Sequence, residues 1–328
     1  MEGLEVRGLS AAVGDVALVR DVSFSVAPGE CFGLVGESGS GKSMTVKAIL
    51  GLLPPGGRVT AGAVMFDGQD LTRLPPAAMA RIRGRRIATI VQDAVSALNP
   101  VYRVGQQIGE AMLEHGVVSD RAEAQARAVK LMADVGIPAP ERRVRDYPHQ
   151  FSGGMCQRVV IAAALSCGPE IILADEPTTA LDVTIQDQIL RLLVQLQMEL
   201  GLGMVLVTHD MGVVAQTCQR VAVMYAGEIV ETCDTADLFA APRHPYAAGL
   251  FACVPRIDGP ARRLAPIPGA PPDPAHPPTG CRFHPRCPLA TDICRQSAPA
   301  LREVSHGHLA RCHHAEQVTP GLWEAADA

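Results

Sequence analysis

Eight residues near the start of the chain, Gly36-Glu37-Ser38-Gly39-Ser40-Gly41-Lys42-Ser43, have the types and spacing to grip a phosphate chain. Glycines let successive backbone N–H groups curl round an anion, the lysine reaches the β and γ oxygens, and the serine hydroxyl ligates magnesium. Gly36, Ser38, Gly39, Ser40, Gly41, Lys42, Ser43 and Met44 are therefore the candidate nucleotide contacts, with Ser43 also on the metal. Far downstream, Phe151-Ser152-Gly153-Gly154-Met155 offers a second glycine-exposed stretch, and Ile171-Ile-Leu-Ala-Asp175-Glu176 ends an apolar run in two carboxylates. Asp175 is suited to hold magnesium through water. Glu176 is suited to orient and polarise an attacking water, because phosphoryl transfer needs positioning and charge stabilisation more than covalent help. The three motifs together predict ATP hydrolysis.

Such residues need elements to position them. Cys31-Phe-Gly-Leu-Val35 reads as a short buried strand and Ser43 to Leu50 as a helix, so the phosphates would meet a helix N-terminus, where free N–H groups and the macrodipole favour anions. Short β-rich runs over Leu4 to Val6, Val22 to Val26, Ala63 to Phe66 and Ile87 to Val91, broken by Pro28-Gly29 and Asp67-Gly68, predict a β-rich lead-in to an α/β core. From about Val104 to Asp146 the apolar spacing becomes helical, carried by Ile108, Met112, Ala126, Val129, Leu131 and Met132, which predicts an insert spanning about 92–155. A helix from Gln157 to Leu165, the strand Ile171 to Ala174, a helix from Thr184 to Leu200 and a strand from Met204 to Thr208 then imply a parallel sheet. Beyond Pro242 prolines accumulate, and a boundary is expected near residue 241, giving domains 1–240 and 241–328.

Composition narrows the class. The 328 residues are 48% hydrophobic with a formal charge of −5, and the arginines are scattered rather than striped, so nothing asks for a nucleic-acid partner. No run approaches the ~18 to 20 apolar residues of a membrane span, and Met1-Glu-Gly-Leu-Glu5 lacks the look of a signal peptide, so a cytoplasmic setting is expected. There, ten cysteines argue for thiols or metal ligands rather than disulfides. Cys281, Cys287, Cys294 and Cys312 crowd the last fifth of the chain with spacing C-x5-C-x6-C-x17-C, able to hold an iron–sulfur cluster or a zinc ion. Cys31, Cys156, Cys167, Cys218, Cys233 and Cys253 stand singly in apolar contexts and read as core.

With phosphate loop, glycine signature, acidic strand end and a later histidine in hand, residues 4 to about 240 resemble the ATPase subunit of ABC transporters. The resemblance implies a P-loop NTPase cassette: a RecA-like parallel-sheet core, an antiparallel β subdomain and a helical insert, here followed by a small irregular cysteine-rich extension. It implies that Gln92 senses magnesium and the attacking water and couples to the membrane subunits. It further implies that Ser152, Gly153 and Gly154 cradle the γ-phosphate of a nucleotide held by a partner subunit, that Ala180-Leu-Asp182 crosses the dimer interface, and that His209 contacts the γ-phosphate. Phe151 and Met155 depart from the commoner Leu and Gln. The aromatic that usually stacks on adenine has no counterpart in Leu9-Ser-Ala-Ala-Val-Gly14, leaving Val13 or an aliphatic contact and an expectation of weaker base selectivity.

Peripheral stretches narrow the resemblance to the dipeptide/oligopeptide/nickel importer ATPases: Gln92-Asp-Ala-Val-Ser-Ala-Leu-Asn-Pro100, Val223-Met-Tyr-Ala-Gly227, Arg243-His-Pro-Tyr246, Ile267-Pro-Gly-Ala-Pro-Pro272 and Cys281-Arg-Phe-His-Pro-Arg-Cys-Pro288. That group implies a [4Fe–4S] cluster on the four cysteines, zinc being the alternative. It implies two membrane permease subunits, a second homologous ATPase, an extracytoplasmic substrate-binding protein acting indirectly, and residence on the cytoplasmic face of the inner membrane. Peptide import is the expected function. Nickel or another small solute is the alternative cargo, and a soluble ABC ATPase of DNA repair or translation is the rival from another class.

Overall fold

A computed structural model describes residues 3–179, 181–252 and 266–323. Ala180, Cys253, Pro255 and Pro260, like Met1 and Glu2, lie outside them. The chain divides into two compact units, and these do not fall on either side of residue 241. One comprises residues 1–3, 26–30 and 73–207; the other, residues 4–25, 31–72 and 208–328.

The second unit opens with the hairpin Leu4–Val13 and Val16–Val26, which joins Gly57–Phe66 and Gln69–Asp70 in a four-stranded sheet. Leu4 and Val6 are buried at even positions, Leu9 and Ala11 at odd ones. A register shift between Arg7 and Ser10 accounts for the change of face, since one extra residue in a strand flips every side chain after it. Gly62 faces the bulge with φ +85°, and a Cβ there would lie 2.4 Å from the Gly8 carbonyl oxygen. The sequence signal caught only the ends of these strands, because the bulge breaks the alternation that marks a strand.

Cys31–Val35 is buried along its whole length and pairs in parallel with Arg220–Tyr225. It leads through the phosphate loop into the helix Lys42–Ile49. Arg220–Tyr225 turns back at Ala226 and Gly227, both at positive φ, into Glu228–Asp234. The strand His308–Ala310, from the proline-rich extension, then pairs with Glu228–Asp234 through Glu231 opposite Ala310 and Thr232 opposite Leu309, and Arg302–Ser305 adds outside it. The extension is thus sewn to the phosphate-loop unit by a sheet edge.

In the first unit, Ile87–Ile90, Ile171–Asp175 and Gly203–Thr208 form a parallel ladder in that order, through residue 207. Near-continuous apolar runs suit strands covered on both faces. Gly153–Leu165 and Val183–Leu200 are its long helices. The insert consists chiefly of Val104–Glu114 and Arg121–Asp134. Its buried stripes are Val104, Ile108 and Met112 on one helix and Ala124, Ala128 and Met132 on the other, each at i, i+4, i+8. Ala126, expected on that face, is exposed, and Val129 and Leu131 are only half-buried. The stripe is set by close approach: a Cβ on Gly109 would come within 3.1 Å of the Ala124 Cβ.

Candidate functional site

In the phosphate-loop unit, Gly36, Gly39 and Gly41 have φ of 154°, 79° and 105°, conformations that L side chains rarely adopt. A Cβ on Gly36 would meet the Met224 carbonyl oxygen at 2.2 Å, and one on Gly41 would meet the Leu18 carbonyl oxygen at 2.9 Å, whereas one on Gly39 would meet nothing within 4 Å. The loop is therefore wedged against its neighbours on one side and open at Gly39. Lys42 is buried, its Nζ donating to the carbonyl oxygens of Gly36 at 2.7 Å and Glu37 at 2.9 Å. The Gly227 N–H donates to the Ser40 carbonyl at 2.8 Å, tying the Ala226-Gly227 turn to the loop. Ser43 and Met44 lie in the first turn of Lys42–Ile49. A glycine-rich loop turned round a buried ammonium at a helix start suits an anionic oxygen cluster. Val13 ends its strand half-buried. His209, following Gly203–Thr208, is exposed and precedes Asp210, whose carboxylate caps Met211–Thr217.

In the other unit, Asp175 ends its strand opposite Val207, and Glu176 follows with φ +46°. The left-handed region costs a non-glycine residue about 1 to 2 kcal/mol, so something must hold it there. Its N–H donates to the Val207 carbonyl at 2.9 Å, and its Oε2 accepts from Gln92 Nε2 at 3.0 Å and Thr179 Oγ1 at 2.9 Å. Gln92, two residues past Ile87–Ile90, is thereby brought to Glu176. Thr179 was not foreseen; a hydroxyl three residues past a carboxylate is too common a spacing to signal anything.

Ser152 caps Gly153–Leu165 through the Met155 N–H, leaving Gly153 and Gly154 in the first turn. A Cβ on Gly154 would lie 2.5 Å from Ile185 Cγ2, so its glycine identity answers to helix packing as well as to any ligand. The Asp182 carboxylate accepts from the Ile185 N–H at 3.0 Å, capping Val183–Leu200. That cap fixes its direction independently of any partner chain.

The extension contributes more than sequence reasoning asked of it. Arg286 forks the Glu37 carboxylate, with Nη1 to Oε2 at 2.7 Å and Nη2 to Oε1 at 2.9 Å. The Tyr246 hydroxyl accepts from the Glu37 N–H at 2.7 Å. The only signals for these contacts were the stretches Arg243-His-Pro-Tyr246 and Cys281-Arg-Phe-His-Pro-Arg-Cys287, read as family markers with no chemistry attached.

Of the four clustered cysteines, Cys294 and Cys312 are buried and Cys281 and Cys287 half-buried. The Cys281 N–H donates to the Cys294 carbonyl at 2.8 Å, setting those two side by side. Burial pushes the Cys287 and Cys312 thiols up to about 12, and the neighbouring sulfurs of Cys281 and Cys294 push the same way. Among the described residues, the three-ligand group gathered within 4.8 Å is a different one: Glu231, Cys233 and His308. There Glu231 and His308 already satisfy each other, because His308 Nε2 sits 2.7 Å from Glu231 Oε1, and the N–H groups of Arg243 and His244 donate to the same carboxylate at 2.7 Å each. Cys31 and Cys218 do not stand singly as read from sequence: their sulfurs are 3.7 Å apart in the core.

The ABC transporter family profile matches residues 19–179, and the profile of the oligopeptide/dipeptide transporter C-terminal region matches residues 230–294. A probable peptide ABC transporter ATP-binding protein of Sinorhizobium fredii is 50% identical over 321 residues, 96% of each chain. The dipeptide transport ATP-binding protein DppD of Bacillus subtilis is 50% identical over 91% of this chain and 89% of its own length. The oligopeptide transport ATP-binding protein OppD of Escherichia coli is 46% identical over 91% and 88%. Among solved structures, the dimeric ATP-binding cassette MJ0796 bound to ADP and Pi superposes with a TM-score of 0.63 at 28% identity, covering 71% of this chain and 98% of that one. CbiO1 of Clostridium perfringens, part of the transporter complex cbiONQ, gives 0.63 at 26%, over 72% and 90%. Such identity, sustained through both the cassette and its extension, leaves convergence no room: this chain belongs to the ABC transporter ATP-binding proteins that carry the oligopeptide/dipeptide transporter C-terminal region.

Proposed function

We propose that this chain is the ATP-hydrolysing subunit that powers import of di- and oligopeptides through a membrane ABC transporter. The observation that carries hydrolysis, rather than nucleotide binding alone, is Glu176: a carboxylate held at a strained φ of +46° and oriented by Gln92 and Thr179 through one oxygen. A carboxylate so oriented is suited to take a proton from water. Gly36, Ser38, Gly39, Ser40, Gly41, Lys42, Ser43 and Met44 would hold the nucleotide, with Lys42 at the β and γ phosphates. Ser43, Asp175 and Gln92 are the residues that would hold Mg2+, which neutralises charge on the transferred phosphoryl group. Ser152, Gly153 and Gly154, with Asp182 and His209, would complete the site of a neighbouring ATPase across a dimer. Adenine would rest on Val13 or another aliphatic side chain. Peptide as cargo rests on the 50% and 46% identical relatives named for dipeptide and oligopeptide transport.

Two permease subunits, a second homologous ATPase and, indirectly, an extracytoplasmic binding protein are the partners this function requires. No helix among the described residues is long and apolar enough to cross a membrane, which fits a peripheral subunit on the cytoplasmic face. Purified with its permeases and partner ATPase, the chain should hydrolyse ATP faster when peptide-loaded binding protein is added. Stimulation by nickel chelates alone would move the cargo to the alternative. Purification with DNA-associated factors and no permease would favour the soluble ABC ATPases.

Cys281, Cys287, Cys294 and Cys312 are the proposed ligands of a [4Fe–4S] cluster, zinc being the alternative. Four thiolates on one zinc ion at ~2.3 Å stand about 3.8 Å from each other, and among the described residues no three of these cysteines meet the 4.8 Å spacing of the Glu231 group. A four-iron core is larger than one ion and needs its thiolates wider. Burial has left the Cys287 and Cys312 thiols hard to ionise, and a cationic core would supply the missing compensation. Anaerobically purified protein should be brown with absorbance near ~400 nm, as iron–thiolate clusters are, and Cys287→Ser should bleach it. Colourless, metal-free and folded protein would refute the cluster.

A further inference from the structure

The side chain of Arg286 is only 5% exposed, yet every nitrogen of its guanidinium is engaged. Nε donates to the Pro268 carbonyl at 2.9 Å, and Nη2 reaches the Ile267 carbonyl at 3.3 Å besides its bond to Glu37. The guanidinium carbon lies 5.8 Å from the ring centre of Tyr225 and 5.9 Å from that of Phe283. Tyr225, Tyr246 and Phe283 pack on one another with centroids 4.6 to 5.4 Å apart, and all three are essentially without solvent exposure. A fork–fork arginine–carboxylate pair in such a setting fixes direction as well as distance.

What it fixes is Glu37, the second residue of the phosphate loop. All the functional groups of Glu37 are in use: carboxylate to Arg286, N–H to Tyr246, and carbonyl receiving both Lys42 Nζ and the Ser40 N–H. A second line of support runs from the same segment of the extension, since Arg282 Nη1 donates to the Ala226 carbonyl at 2.8 Å, and the adjacent Gly227 N–H holds Ser40. Preorganised donors bind an anion more tightly because no ordering remains to be done on binding.

We propose that Arg286 and Tyr246 are positioning residues for the phosphate loop, and that through Glu37 they couple ATP binding to the order of the cysteine-bearing extension. The proposal rests on the phosphate loop binding ATP. Linkage makes the coupling reciprocal: if the extension sharpens ATP binding, ATP must steady the extension by the same factor.

The test uses the full-length chain and ATP itself, with variants Arg286→Met, Arg286→Lys, Glu37→Gln and the double variant Arg286→Met/Glu37→Gln. Equilibrium binding gives the ATP dissociation constant, and amide hydrogen exchange over residues 281–312 is followed with and without ATP. Arg286→Met and Glu37→Gln should each weaken ATP binding by about tenfold, and the double variant by no more than either, as expected of two halves of one interaction. Arg286→Lys, keeping the charge but not the fork, should fall between. ATP should slow exchange over 281–312 in the wild-type chain and not in the variants. Normal ATP affinity in variants that merely melt earlier would reduce Arg286 to a structural role and overturn the proposal, as would a double variant weakened by the product of the two singles. Should Arg286→Met fail to fold, Glu37→Gln and Arg286→Lys decide alone. A wild-type chain that does not bind ATP would instead refute the nucleotide reading, and the coupling with it.

Discussion

Replacing Glu176 by glutamine should lower ATP turnover of the assembled transporter by about 10²- to 10³-fold, in the range lost with a general base, while ATP binding stays within a few-fold of normal. The geometry makes this separation clean. Glu176 Oε2 accepts from Gln92 Nε2 and Thr179 Oγ1, and a glutamine amide oxygen in its place accepts both. The backbone keeps its bond to the Val207 carbonyl, so the strained φ survives the change. What is lost is the second oxygen: an amide nitrogen carries hydrogens and cannot receive a proton from water. Loss of one negative charge beside Asp175 should also ease the approach of a triphosphate, so the ATP-bound closed dimer should accumulate and be visible by sedimentation. Turnover within threefold of wild type would remove Glu176 from the chemistry. A parallel loss of ATP binding would mean that its part is structural.

The motifs that place this chemistry are local, and that is why they could be read. A phosphate loop needs glycines and a lysine within eight residues, and a carboxylate at a strand end needs only the apolar run before it. Gln92 and Glu176 are 84 positions apart, and the parallel pairing of Ile87–Ile90 with Ile171–Asp175 brings the two strand ends to the same edge. Other features had no such rule behind them. The bulge opposite Gly62 hid two long strands, since it reverses the alternation that betrays a strand. The insert's buried stripe falls on Ala124, Ala128 and Met132, chosen by how closely a facing glycine lets the helices approach. Arg286 and Glu37 are separated by 249 positions, and neither has a periodicity to show which arginine meets which glutamate. Pairings of that kind are decided by the packed structure, and here they bear on the phosphate loop itself.

The largest stability loss is expected at Glu231. This fully buried carboxylate takes the N–H groups of Arg243 and His244 and faces His308 Nε2, each at 2.7 Å. Burial pushes its pKa up, opposed by His308 and the two amides, so the pair holds only as a complete set of contacts. Glu231→Ala would strip two backbone N–H groups and the imidazole of their shared partner in a dry place, and each buried polar group left unsatisfied costs about 1 to 3 kcal/mol. For a unit of this size that corresponds to a fall in Tm on the order of 10 °C. Glu231→Gln should be nearly as damaging, because the amide nitrogen would point a donor at a donor. His308→Leu combined with Glu231→Ala should cost less than the sum of the two, since once one partner is gone the other has less to lose. The loss should concentrate where the pair lies, on the strand His308–Ala310 against Glu228–Asp234, so amides of 302–310 should exchange first. A Tm within 2 °C of wild type for Glu231→Ala would show that the extension is held by its aromatic packing and the Arg286 fork, with the buried pair contributing nothing net.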